Sequence, residues 1–111
     1  MDEIVVITTC DDRGVAERIA SSLVEKRLAA CVNMVDSVAS VYRWKEGVEK
    51  AREILLLAKT NREQFPGVQA EIERLHSYEL PEVIALPVIA ASDRYLDWLR
   101  EGIGRPSAPG R

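Results

Sequence analysis

The chain has 111 residues, 47% hydrophobic and 30% charged, which fits one globular domain able to bury a core without staples. A formal charge of −3 and a pI near 5.2 argue against nucleic acid as a partner, because neutralising phosphates takes a basic patch and here the fifteen Lys and Arg alternate with acids. No apolar run approaches the roughly 18 residues that signal a membrane span, and two cysteines, Cys10 and Cys31, are too few for a disulfide framework, so a reduced, cytoplasmic setting is expected.

Met1 leads directly into Asp2-Glu3 and a β-like run, so no secretory leader is expected. Ile4-Val5-Val6-Ile7 followed by Thr8-Thr9 is continuous and β-branched, as in a central strand covered on both faces. Asp11 or Asp12 can cap the next helix. Val15, Ile19 and Leu23, flanked by Ala16, Ala20, Val24 and Leu28, form a wide apolar stripe that predicts a helix over about 13–28. A strand over about 29–35 follows, with no Gly, Pro or polar loop at the hand-over. From Val38 to Lys45 the pattern alternates, with Ser40, Tyr42 and Trp44 on one face and Val41, Arg43 and Lys45 on the other. Glu46-Gly47 supplies a turn.

The segment from Val48 to Ala58 is ambiguous. Its residues are good helix formers, yet Ile54 to Leu57 also reads as a buried strand running back from the turn. Thr60-Asn61-Arg62-Glu63 matches a capping box, but Pro66 then falls inside the helix, so a helix properly beginning near Pro66 fits better. Phe65, Val68, Ile72 and Leu75 form its apolar face, and it ends around His76-Ser77. Val83 to Ile89 predicts a last strand, with Pro87 at an edge or bulge. Ser92 or Asp93 caps a short helix carrying Tyr95, Leu96, Trp98, Leu99 and Ile103. Residues 1–103 thus form one domain, and the Gly-, Pro- and Ser-rich tail over 104–111 is expected to be disordered. The order β-α-β-β-α-β plus a C-terminal helix satisfies right-handed crossovers as an α+β, ferredoxin-like sandwich.

Several motifs in this order resemble the CutA divalent-cation tolerance family. They are Glu25-Lys26-Arg27-Leu28-Ala29-Ala30-Cys31, Tyr42 with Trp44, Glu53 running into Lys59-Thr60, His76-Ser77-Tyr78-Glu79-Leu80-Pro81-Glu82, and Tyr95-Leu96-Asp97-Trp98-Leu99. The resemblance favours the strand reading of residues 48–59. It implies a long bent hairpin and a tight homotrimer in which neighbouring strands join edge to edge, which would remove exposed edges. The activity it implies is non-enzymatic tolerance of divalent metal cations, copper among them. The family's fold and trimeric form also resemble the nitrogen-regulatory PII proteins, so a signalling module binding a small effector at subunit clefts is the alternative. Two departures stand out: Ser77 where the family usually has Pro, and Glu46 where it often has Gly.

For chemistry, His76 is the only histidine. With Glu79 it can contact a copper or other divalent ion; the plainer reading is a histidine at a helix C-terminus, bonded to backbone. Tyr42, Trp44, Lys59, Tyr78, Glu79 and Trp98 group as a candidate pocket for a small anion or planar ligand, against ordinary packing between subunits. Cys31 reads as core. Cys10, beside Asp11 and Asp12, is a poor nucleophile, and nothing local brings it to His76.

Overall fold

The computed structural model describes residues 1–105. Strand β1 (Glu3–Cys10) leads to helix α1 (Arg13–Glu25). A hairpin of strands β2 (Cys31–Trp44) and β3 (Gly47–Asn61) follows, then helix α2 (Phe65–Leu75), strand β4 (Ile84–Pro87) and helix α3 (Asp93–Gly102). The sheet runs β2-β3-β1-β4, and every neighbouring pair is antiparallel. That is the ferredoxin-like order, with β1 in the middle and β2 and β4 on the edges, and Pro87 sits on the edge strand as expected.

Alternation sorts the sheet into two faces. Ile4, Val6 and Cys10 of β1 and Leu56 and Ala58 of β3 point to α1 and α2. There they meet Val15, Ile19, Leu23, Val68 and Ile72 in one core, most of it under 5% exposed. Thr8 lies on the same face, and its hydroxyl finds no partner among the described residues. The opposite face carries Val5 and Ile7, Leu55 and Leu57, and Ile84 and Leu86 as cross-strand neighbours. Among the described residues only one end of it is covered, by α3. Leu96, Leu99 and Ile103 pack there beside Ala30 and Ala91. Arg100 forks onto the buried carboxylate of Glu3 at 3.2 and 3.3 Å. Gly102 lies so close to Ala30 that a Cβ there would stand 2.8 Å from the alanine methyl.

Strand was the right choice for residues 48–59: burial against α1 and pairing with β1 and β2 override helix propensity. The first helix, however, stops at Glu25 rather than 28. Leu28 and Arg27 donate their N–H groups to the carbonyls of Leu23 and Val24, at 2.9 and 3.0 Å, and Arg27 takes φ 58°. This is a Schellman turn built on an arginine where glycine is usual, which is why the sequence offered no visible break. Asp12 does cap α1, accepting from Val15 N–H at 3.1 Å. Thr60 caps nothing: it is the fully buried penultimate residue of β3 and donates to the Leu28 carbonyl at 2.6 Å. Asn61 makes the turn instead, accepting from Gln64 N–H. The last strand is shorter than expected. Gly104, assigned to a disordered tail, is tied at both ends, to the Arg27 carbonyl and the Gln64 amide; residues 106–111 lie outside the described residues.

Candidate functional site

The hairpin outgrows its sheet. Pairing of β1 with β3 ends at Cys10 and Ile54, so the arm formed by residues 38–53 extends past β1. Between Val35 and Val38 the register slips: Asp36 and Ser37 oppose the single residue Ile54, and Ser37 takes φ 62°. A bulge of this kind bends a strand and resets its alternation. It therefore puts Ser40, Tyr42 and Trp44 on the same face as Val35, the face away from α1 and α2.

Opposite that arm, the segment after α2 folds back beneath it. His76 anchors the segment. Its Nδ1 accepts from the Tyr78 N–H at 3.0 Å, so the ring proton sits on Nε2, which donates to the Thr9 carbonyl at 2.7 Å. The Cys10 thiol is 3.5 Å from Nε2, and the Tyr78 ring lies 4.5 Å from the imidazole. Tyr78 in turn donates its hydroxyl to Glu53 at 2.7 Å. Burial pushes the Glu53 carboxyl up, but hydrogen bonds from Ser40, Tyr78 and Thr9 outweigh it, and the group titrates below the usual range. Burial first, then the Glu53 bond, pushes the Tyr78 phenol far up, so it stays a donor.

The arm and this segment enclose a cleft of about 900 Å³. Tyr42, Trp44, Tyr78 and Pro81 form its walls, and Asp11, Glu53, Glu79 and Glu82 supply carboxylates. Among the described residues, no Lys or Arg lines it. Four of the six pocket residues expected from sequence thus meet here: Tyr42, Trp44, Tyr78 and Glu79. Lys59 and Trp98 do not. Lys59 lies ten positions along β3 from Glu49, the partner of Tyr42, roughly 33 Å along the strand at 3.3 Å per residue. Its Nζ bonds the Tyr95 hydroxyl at 3.0 Å, and Trp98 stacks on Tyr95 at 5.5 Å. Without Lys59 the cleft lacks, among the described residues, the one cation expected of it.

Two other expectations change. Cys10 and His76 do meet, 66 positions apart in sequence. The contact does not activate the thiol: burial, then the charge of Asp11, pushes it up to about 11. Cys31 is not core; it opens β2 half-buried on the uncovered face. As for metal, both nitrogens of His76 are engaged in protein hydrogen bonds. Among the described residues no group of three or more His, Cys, Asp or Glu is placed to hold an ion. The sequence reading gave no role to Glu53, the buried acid on which Tyr78 closes. The available signal was an acid directly preceding the apolar run Ile54–Leu57.

The chain's relatives agree with this architecture. The family model of the CutA1 divalent ion tolerance protein matches residues 4–102. A divalent-cation tolerance protein CutA from Thermus thermophilus is 47% identical over 104 residues, covering 94% of this chain and all of the relative. Human protein CutA is 43% identical over 84% of this chain, which spans about half of the human protein's length. Among solved structures, the Thermus protein superposes with a TM-score of 0.89 over 92% of this chain and 99% of its own. CutA from Xylella fastidiosa, 38% identical, gives 0.90 over 94% and 100%. With this fold, this bent hairpin and matches from one end of the domain to the other, the chain belongs to the CutA1 divalent ion tolerance family.

Proposed function

We propose that this chain is a non-enzymatic homotrimer of the cytoplasm that contributes to tolerance of divalent metal cations, copper among them, through weak contacts. The observation that carries the reading is the cleft's excess of carboxylates with no lining cation, which favours positive ligands. An ion approaching His76 and Glu79 has to displace either the Tyr78 N–H or the Thr9 carbonyl from the imidazole, so its hold is weak. Trimer formation is supported by the outer edges of β2 and β4, which are unpaired among the described residues, and by the apolar face of the sheet, where Ile84 and Leu86 are about half exposed, at 51% and 47%. No helix among the described residues is long and apolar enough to cross a membrane. Calorimetry with CuCl₂ and ZnCl₂ tests the metal contact: binding heat that falls in His76→Ala supports it, and equal heats from both proteins rule out His76 as a ligand.

A second reading has its own support. A cleft of about 900 Å³ far exceeds what a bare ion fills and lies within the range of small-molecule sites. The chain then acts as a PII-like module that senses an organic effector. Thermal stabilisation by a small organic molecule, with none by Cu or Zn, favours this reading over the first.

A further inference from the structure

We infer that residues 100–104 form a strap that latches α3 over one end of the sheet's open face, with Arg27 as its fixed post, so that α3 opens and closes as a unit while the core beneath α1 and α2 stays shut. Helix α3 is built to be separable. Its buried residues, Leu96, Leu99 and Ile103, pack with Ala30 and Ala91 in a cluster apart from the main core. A helix of ten residues is marginal by itself, and the Ser92 side chain does not cap this one. Elements with so few buried apolar contacts occupy the low end of local stability.

The bonds that hold α3 are concentrated at its C-terminal end, and they lie within one chain. Arg100 forks onto Glu3 of β1. The Arg27 guanidinium donates to the Glu101 carbonyl, one of the last carbonyls of α3, which the helix itself cannot satisfy. The Gly104 N–H donates to the Arg27 carbonyl at 2.7 Å, and the buried Gln64 amide donates to the Gly104 carbonyl at 2.7 Å. Two glycines let the strap lie flat. A Cβ at Gly102 would stand 2.8 Å from the Ala30 methyl, and one at Gly104 would stand 3.1 Å from the Arg27 Cβ. The post is itself fastened to the sheet: Thr60 holds the Leu28 carbonyl, and the Ala30 N–H bonds the Lys59 carbonyl at 3.0 Å. Toward the other end of α3, among the described residues, one side-chain tie is present, from Lys59 to the Tyr95 hydroxyl.

Arg27 separates a latch from ordinary packing. Its φ of 58° suits glycine, and an arginine held there stores local strain. Glycine would relax the turn and keep the carbonyl that Gly104 uses, but it has no guanidinium to reach Glu101. Arg27 is thus a positioning residue that gives up local stability for a hold on α3. Release of the strap uncovers Ala30 and Ala91 and lengthens the apolar face at that end.

Hydrogen–deuterium exchange of the 111-residue chain, read by mass spectrometry, tests the strap. Amides of residues 96–102 should exchange at least about tenfold faster than those of β1 and α2. Arg27→Gly should speed exchange in α3 about fivefold, the effect of one hydrogen bond, while β1 and α2 keep their rates and the melting midpoint does not fall. Gly104→Pro, which removes the N–H donated to Arg27, should speed α3 by a similar factor. Amides of α3 as well protected as those of β1 overturn the proposal. So do α3 rates unaltered in both variants. A rise shared equally by β1 and α2 also overturns it, because the strap would then be an ordinary part of the global fold.

Discussion

The two faces of one sheet differ sharply. On the helix side, Val6, Leu56, Val68 and Ile72 are at most 1% exposed. On the other side, equally apolar residues such as Leu55, Leu57, Ile84 and Leu86 remain half-buried or exposed, and only α3 covers one end. The same strand chemistry thus supplies a finished core on one face and an unfinished one on the other. Stability of the single chain belongs to the first face; the second, with the arm that continues it, is where the proposed trimer would form its contacts.

The largest contrast comes from truncating one residue on each face. Ile72→Ala should cost about 2–5 kcal/mol of unfolding free energy, because it leaves a cavity in a close-packed interior. Leu57→Ala should cost the isolated subunit under half of that, since the side chain is only partly covered. Chemical denaturation under dissociating conditions measures both, and equal losses would erase the distinction between the faces.

A polar test of the covered side is Glu71. This buried acid of α2 accepts from Ser22 on α1, from Lys26 just past the end of α1 and from Arg74 on its own helix, and so ties the two helices together. Those hydrogen bonds, Arg74 foremost, outweigh burial and hold its carboxyl well below the ordinary range. A carboxyl depressed on folding contributes stability above its unfolded pKa of roughly 4.3, and that contribution is lost as pH falls toward the folded value. Glu71→Gln should cost about 1–3 kcal/mol at pH 7. It should also flatten the loss of stability between roughly pH 5 and 2. Denaturation midpoints across that range read both effects.

Two smaller changes should stabilise. Thr8→Val keeps the side-chain shape while removing a buried hydroxyl with no partner among the described residues, for a gain of about 1 kcal/mol. Arg27→Gly relieves the left-handed residue of the Schellman turn, worth about 1 kcal/mol. It also removes a hydrogen bond from the guanidinium to the Glu101 carbonyl, so the net gain should be about 0.5 kcal/mol. A thermal melt of each variant checks the sign.

Much of the covered face was legible in sequence. Periodicity gave α1, α2 and β1 because those elements bury one stripe each, and a buried stripe leaves a period. The C-terminus of α1 was not legible, because Arg27 does work usually left to glycine. The bulge at Asp36-Ser37 was also hidden, although it decides that Tyr42 and Trp44 join the face of Val35. Local alternation cannot reveal a reset of its own phase. The pocket was half legible for a similar reason. Tyr42, Trp44 and Tyr78 meet because the arm bends over the segment after α2, whereas Lys59 sits on the neighbouring strand β3, ten positions from the partner of Tyr42. The pairing of Cys10 with His76 depends on where α2 ends relative to β1, a tertiary fact with no local signature.

The unfinished face is the central matter, and mass in solution addresses it most directly. Sedimentation or light scattering at micromolar concentration should give about 37 kDa, three times the 12.4 kDa subunit. Leu57→Glu, which places a charge in the middle of that face, should bring the value down toward one subunit while far-UV circular dichroism stays unchanged. A mass of 12.4 kDa for the unaltered protein would contradict the account, because most of the apolar face would then have no cover among the described residues.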